Sequence, residues 1–246
     1  VVLGPGTFRV NGTLNINNKS GVVVRGTLVN EVKATIVDSR QSGAFGWVMG
    51  NTSADYQKFD GPEITVGAAQ GATVLTFATA ASFTVGNRIS IHQDNSFLAA
   101  WPVVGNMSGS TDRGMRHGSK IASKTSTTIT IEDPLPFAFT TAQNAKVHIV
   151  GDGFAYQCGI GDLVFDMSNG GSTFGMAMWN VDQCWLKNVE AKEAENYIVY
   201  MLKALHCTIQ KSYLNAIGGT GNNGSGLLIE QSSMNLIQDN IIRFCQ

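Results

Sequence analysis

The chain is short of charge, of proline and of long apolar runs. Only 14% of its 246 residues are charged, against about 25% in an average globular protein. Seventeen basic and eighteen acidic residues leave a formal charge of −1. That balance excludes the basic footprint of a nucleic-acid binder and a charge-rich coiled coil, and 43% hydrophobic residues argue against wholesale disorder. No apolar run approaches the roughly 18 residues of a membrane-spanning helix, and no secretory leader is read in the sequence. The four cysteines, Cys158, Cys184, Cys207 and Cys245, include no CxxC pair. A zinc knuckle or thioredoxin-type site is thereby excluded, and four are too few to staple a scaffold, so buried free thiols are expected. Glycine, by contrast, is plentiful, with 28 residues. Together with abundant Asn, Ser and Thr and only five prolines, it points to many short strands joined by tight turns.

A repeat organises those strands. LVFDMS from Leu163, LKNVEA from Leu186 and IQKSYL from Ile209 start 23 residues apart, and IQDNII from Ile237 follows after 28. Between them recurs a second apolar strand: GMAMWN from Gly175, IVYMLK from Ile198 and LLIEQS from Leu227. Cys184 and Cys207 are also 23 apart. A short two-strand unit without helical periodicity cannot bury its own apolar face, whereas stacked copies pair in parallel and share one core. The expected fold is all-β: a right-handed parallel β-helix of about 23 residues per coil, each coil advancing about 4.8 Å. Strand alternation puts Leu227 and Ile229 inside with Leu228 and Glu230 outside, and matches them to inward pairs Ile198 with Tyr200 and Met176 with Met178. Asn188, Ser212 and Asn240 suit tight corners.

From about residue 61 to 150 the period disappears, and alternating strands such as FTVGNRISIHQ and SKTSTTITIED take over. We read an inserted antiparallel β subdomain, a small barrel or sandwich, leaving and rejoining one turn of the solenoid. The expected organisation is therefore β-helix coils at 1–60, the insertion at 61–150 and further coils of the same solenoid at 151–246, six or seven coils in all. Residues 94–118 read as a long loop. Val1 already reads as strand, and the last apolar strand runs to Cys245 and Gln246. Uncapped solenoid ends expose unpaired strand edges, so flanking sequence or a partner on both ends is expected.

The segments GPGTFRVNGTLNINNKSGVVVRGT at 4–27 and SGLLIEQSSMNLIQDNII at 225–242 resemble the pectate-lyase-like β-helix superfamily. With the coils from about residue 151, the resemblance covers about 155 residues. It implies the fold and a carbohydrate-active role: a secreted or surface protein acting on an acidic polysaccharide, as lyase or glycoside hydrolase, in a groove along the helix. The same superfamily contains viral tailspikes and surface fibres without activity, and that is the alternative. The pectate-lyase WxDH and RxPxxR signatures and the polygalacturonase NTD, DD, GHG and RIK motifs are absent. No cofactor is implied; Ca²⁺ would suit a lyase, without any metal motif of specific spacing here. The implied partner is a polysaccharide, with a trimer as a further expectation for the fibre class.

Candidate site residues follow from where turns and outward positions fall. The variable turn carries Lys192, Glu193, Glu195, Asn196 and Tyr197 on one coil and Asn222 on the next. Glu193 or Glu195 could act as acid or base, Lys192 as base or carboxylate ligand, and Tyr197 as a stacking platform; a solvated charged turn is the other reading. Lys203 and His206 fall one coil from Glu230 and Gln231, which makes His206 a catalytic candidate and Lys203 and Glu230 ligand-binding ones. Trp179, Val199, Met201 and Leu228 read as an outward apolar stripe, covered by another element, packed in a trimer or, at Trp179, stacked on sugar. In the insertion, Trp101, Arg113, Arg116 and His117 could hold an anionic sugar. Five Asn-x-Ser/Thr sequons, at Asn11, Asn18, Asn51, Asn106 and Asn223, matter only in a eukaryotic secretory setting.

Overall fold

The structure, a computed structural model, describes residues 1–52, 60–94, 115–150, 154–216 and 225–244. The chain divides into two compact units, Val1–Thr52 with Asp152–Gln246, and Ser53–Gly151. The first is a right-handed parallel β-helix. Each full coil contributes three strands, one more than the sequence repeat suggests, because the stretch read as one strand at Leu186 is two short strands around a corner. Coil one is β1 (Gly6–Val10), β2 (Leu14–Ile16) and β3 (Val23–Arg25), followed by a small hairpin, β4 (Leu28–Val29) and β5 (Val32–Lys33). Coil two begins with β6 (Thr35–Ser39) and β7 (Phe45–Gly50).

The second unit holds β8 (Val74–Thr76), β9 (Arg88–Gln93), β10 (Met115–Lys124), β11 (Thr128–Ile131) and β12 (Lys146–Ile149), in the antiparallel order β12-β9-β10-β11-β8. Glu63 bridges to Lys146 at one edge of this sheet and Val66 to Thr76 at the other, closing it into a small barrel. Its core is Leu75, Phe77, Phe83, Ile89, Ile91, Ile121, Ile129 and Phe139. Residues 115–118, expected in a loop, begin strand β10.

The chain then completes coil two with β13 (Ala155–Tyr156) and β14 (Gly159–Gly161). Coils three to five are β15 (Val164–Asp166), β16 (Phe174–Asp182) and β17 (Trp185–Lys187); β18 (Glu190–Lys192), β19 (Tyr197–Leu205) and β20 (Thr208–Gln210); and β21 (Tyr213–Ala216), β22 (Ser225–Glu230) and β23 (Leu236–Gln238). Strand β24 (Ile241–Phe244) opens a sixth coil, so the described residues form five full coils rather than six or seven. Three parallel sheets result: sheet I is β1-β6-β15-β18-β21-β24, sheet II is β2-β7-β16-β19-β22, and sheet III is β3-β14-β17-β20-β23. The insertion interrupts a single row of sheet II. Strand β16 is partnered by β7 from Phe174 to Trp179 and by β13 at Val181 and Asp182, so the returning chain resumes the pairing almost where it was left. Gly50 makes the exit: its φ is +92°, and a Cβ there would overlap the carbonyl oxygen of Trp179.

The register corrects the spacing read from sequence. Leu186 pairs with Ile160, not with Leu163, and Val164 pairs with Glu190. The coil is therefore 26 residues there, 23 from Leu186 to Ile209 and 28 from Ile209 to Ile237. The difference lies in the turn from sheet I to sheet II, long after β15 and short after β18. The facing also changes. Val199 and Met201 lie in the core, aligned with Leu227 and Ile229, while Tyr200 faces out. Ile198 and Val199 are both buried in the core, so the strand bends and two successive residues point inward; alternation counted from Ile198 falls out of phase.

Corners are turned by single residues in the left-handed region. Asp162, Asn188, Lys211 and Asp239 form one such column, and Gln157, Gln183, His206 and Met234 another, all with φ between 51° and 58°. Such a conformation costs about 1–2 kcal/mol for a non-glycine residue, and the ladders on either side hold it in place. Asn188 Nδ2 donates to Asp162 Oδ1 at 2.9 Å, and Asn240 accepts from the Ser212 amide at 2.9 Å. Inside, like sits on like: Cys158, Cys184 and Cys207 stack as buried free thiols, and burial pushes the Cys207 thiol well up. Phe165, fully buried, packs edge-on against Trp47 at 5.7 Å between centroids. Phe165→Ala is expected to lower stability by about 3–5 kcal/mol, measured by urea unfolding followed by tryptophan fluorescence.

Candidate functional site

The outer face of sheet II concentrates aromatic side chains. Register places Phe45, Phe174 and Tyr197 in one column across three coils, and Trp179 and Tyr200 on neighbouring columns. Because parallel strands rise about 4.8 Å per coil, equivalent rings stack. Phe45 and Phe174 are 5.0 Å apart at 23°, and Phe174 and Tyr197 5.6 Å at 8°. Tyr200 lies 5.4 Å from Phe174 and 5.5 Å from Trp179, and Trp179 meets Phe45 edge-on at 5.8 Å. Tyr200 is buried beneath the cluster, while the other four rings are half-exposed. Each such pair contributes about 0.5–1.5 kcal/mol beyond the area it buries.

Polar groups border this platform. The Tyr200 hydroxyl donates to Glu230 Oε2 at 2.6 Å, and register sets Glu230 beside Leu202 and Trp179 in a row of sheet II. Asn180, Lys203 and Gln231 follow at left-handed bends, and Asn180 Nδ2 donates to the Asn51 carbonyl at 2.9 Å. Beyond the bend, His206 Nδ1 is 3.2 Å from Oδ1 of the buried Asp182. Asp182 and Glu230 are two coils and three residues apart in register, about 14 Å along the sheet. That separation exceeds the roughly 5–9.5 Å of a glycosidase carboxylate pair.

A second feature runs along sheet I. Arg9, Asp38, Asp166, Lys192, Asn215 and Arg243 are register neighbours over six strands. Hydrogen bonds from Arg40 Nε, at 3.1 and 3.0 Å, hold the Asp38 carboxyl below the usual value. Burial opposes the ionisation of Asp166, but donors from Ser168, at 2.6 and 3.0 Å, and Lys192, at 3.1 Å, outweigh it and its pKa is lowered too. The same bond to Asp166 raises Lys192. Two carboxylates on adjacent coils have the spacing of a retaining pair, yet both stay ionised at neutral pH, so neither can donate a proton.

The residues singled out from sequence distribute as follows. Lys192 is committed to Asp166; Glu193 and Glu195 follow it in the turn, and their carboxylates make no hydrogen bond or ion pair among the described residues. Asn196 is half-buried in the same turn, while Tyr197, Trp179 and Glu230 belong to the sheet II face. Lys203 is buried at its bend and His206 sits at a corner. In the second unit Arg116 is half-exposed, while its strand neighbour His117 is buried with Nε2 3.4 Å from the Asp133 carbonyl oxygen, so the two face opposite sides of β10. Trp101, Arg113 and Asn222 lie outside the described residues. Sequence reasoning missed Phe45 and Phe174. The signal was there as FGWVMG and FGMAMW, two copies of one strand separated by the insertion. Among the described residues no cluster of three or more His, Cys, Asp or Glu is placed to hold a metal ion.

No protein-family model matches the chain, and no curated protein sequence does. Solved structures do match. The tailspike protein gp49 of Pseudomonas phage LKA1 is 16% identical with a TM-score of 0.59, over 97% of this chain and 37% of that one. The Gp54 tailspike of Acinetobacter baumannii bacteriophage AP22, solved with an A. baumannii capsular saccharide, is 12% identical with a TM-score of 0.48. It is matched over 97% of this chain and 41% of its own length. The tailspike gp61 of Pseudomonas phage phi297 is 11% identical with a TM-score of 0.44, over 99% of this chain and 40% of that one. The chain thus spans well under half the length of these tailspikes. At 16% identity the likeness to gp49 establishes the parallel β-helix fold and nothing of its chemistry.

The ion-pair ladder yields a pH signature. Asp166 has a folded pKa below its unfolded value of about 3.9, so its contribution is whole above about pH 5 and disappears as pH falls through the folded pKa. Lys192 is raised, so its contribution is whole below about pH 9.5 and disappears as pH rises through its folded value. Asp166→Asn is expected to cost less than about 1 kcal/mol at pH 7, the two side chains being partly exposed. That difference from wild type vanishes at the acid end of a thermal-unfolding series.

Proposed function

We propose that the chain is the glycan-engaging β-helix of a tailspike-type surface fibre, displayed on a virion or cell surface. In this reading a polysaccharide lies across sheet II on Phe45, Phe174, Tyr197 and Trp179. The observation that carries it is the half-exposed stack of rings with a carboxylate at its border. Pyranose rings present apolar C–H faces that pack on aromatic faces, and their hydroxyls need donors and acceptors alongside, here Glu230 and Gln231. The tailspike fold of gp49 supports the fibre class by analogy.

Cleavage of the bound glycan is the second reading, favoured by the short bond between Tyr200 and Glu230 beside the platform. A hydrolase would use Glu230 as the proton-transferring carboxylate; a lyase would draw a base from Lys203 or His206. The turn carboxylates Glu193 and Glu195 serve in either case as ligands at the platform's edge. Mass in solution separates a trimeric fibre from a monomeric enzyme.

Tyr197→Ala is expected to weaken binding to a responsive capsular or exopolysaccharide by ten-fold or more, measured by calorimetry against a polysaccharide panel. Unchanged affinity in Tyr197→Ala and Phe174→Ala would remove the platform from the function. If reducing ends or absorbance at 235 nm accumulate, Glu230→Gln is expected to stop product formation while binding persists.

A further inference from the structure

Sheet III carries an aromatic group of a different kind. Trp185, on coil three, stacks on no other ring among the described residues; it lies over the coil below. A Cβ at Gly159 would overlap Cε2, Cζ2 and Cδ2 of its indole together, and one at Gly161 would come within 3.1 Å of Cζ3. Several ring atoms crowding one Cβ position means the indole lies face-down, in space that only glycine leaves. Trp185 nevertheless remains half-exposed, so a wide apolar ring is displayed flat on the outside of the sheet.

Charge is arranged around it. Arg25, Gly161 and Lys187 are register neighbours on three successive coils, which sets one cation on each side of the glycine that carries the ring's outer edge. The Arg25 guanidinium is 5.7 Å from the ring centroid and 3.8 Å from Asp162 Oδ2, so its charge is partly answered. Asp162 also accepts from Asn188 Nδ2 at 2.9 Å. Lys187 is exposed and makes no ion pair among the described residues. Its column continues upward with Gln210 and Gln238, both amide donors and acceptors.

We propose that this face of sheet III is a saccharide subsite separate from the sheet II platform, and that it takes a uronic-acid unit of an anionic glycan. The apolar face of the sugar stacks on Trp185, and its carboxylate pairs with Lys187, with Arg25 adding long-range attraction. A neutral sugar would stack equally well but leave the lysine unanswered, and an isolated anion would find no reason for the flat indole. The glutamines of the next coils then meet hydroxyls of the following unit. The subsite does not depend on the role proposed for sheet II, because none of its residues belongs to that sheet.

The test uses galacturonate hexamers and an uncharged hexamer of the same hexose, titrated calorimetrically into the full chain. Trp185→Ala is expected to weaken galacturonate binding ten-fold or more, with Trp185→Tyr restoring part of it through the remaining ring. Lys187→Gln is expected to weaken the galacturonate hexamer several-fold, to leave the neutral one unchanged and to flatten the salt dependence. Labelling with 5-fluorotryptophan, with Trp185→Phe assigning its resonance, is expected to show that signal shifting on galacturonate addition. The same shift in Tyr197→Ala keeps this site distinct from the platform. Wild-type affinity in Trp185→Ala, no change in Lys187→Gln, or a Trp185 resonance that stays in place would each overturn the proposal.

Discussion

Successive coils are held by parallel backbone hydrogen bonds at a spacing of about 4.8 Å, and every other feature of the β-helix inherits that distance. A residue type that recurs once per coil must meet its own kind at that separation. Rings at 5.0 and 5.6 Å, three thiols in a column and a row of charged residues are all outcomes of one ladder. Left-handed corners are affordable for the same reason: residues as unsuited to that conformation as Lys211 and Met234 adopt it because both flanking strands are already pinned. The ladder also explains the low charge of the chain. A strand residue faces the core or lies against the coils above and below, and only turns and outer columns are left for ionised groups.

Much of this was legible because stacking writes itself into sequence as a repeat. IVYMLK and LLIEQS are readable as equivalent strands, and the loss of period after residue 60 marks the insertion. What escaped did so for identifiable reasons. Leu163 and Leu186 look equivalent because both read as opening a short strand, 23 residues apart, but the turn after Asp166 is longer than the one after Lys192, and pairing follows backbone path rather than residue count. Alternation places Val199 outside only along a straight strand, whereas β19 turns two successive residues, Ile198 and Val199, inward. Trp185 gave no sign of its importance by itself; the clue is its pairing with Gly159, which only the register reveals.

The candidate chemistry divides by face. Sheet I uses its charges on itself: Asp38 answers Arg9 and Arg40, and Asp166 answers Lys192. Sheet II presents rings with a carboxylate at their border, and sheet III one flat ring between cations. A solenoid with three long faces offers separate surfaces whose residues can change independently, since each face touches the others only through the core. The residues of interest are accordingly spread over coils one to five rather than gathered at one pole.

The way strand β16 is shared has a consequence for assembly. Its first half waits for β7 and its last two paired residues for β13, which is more than a hundred positions further along the chain. Coil two is thus a split row whose halves are aligned by the coil above it, much as a splint aligns a broken bone. Closing so long an excursion is entropically slow, and coil three supplies the template that makes the return unambiguous. The same splint makes the solenoid indifferent to what the excursion contains. A β module of another size could leave at Gly50 and rejoin at Ala155 without shifting any coil out of step, which makes this junction a natural point for exchange of whole modules between proteins built on the same solenoid.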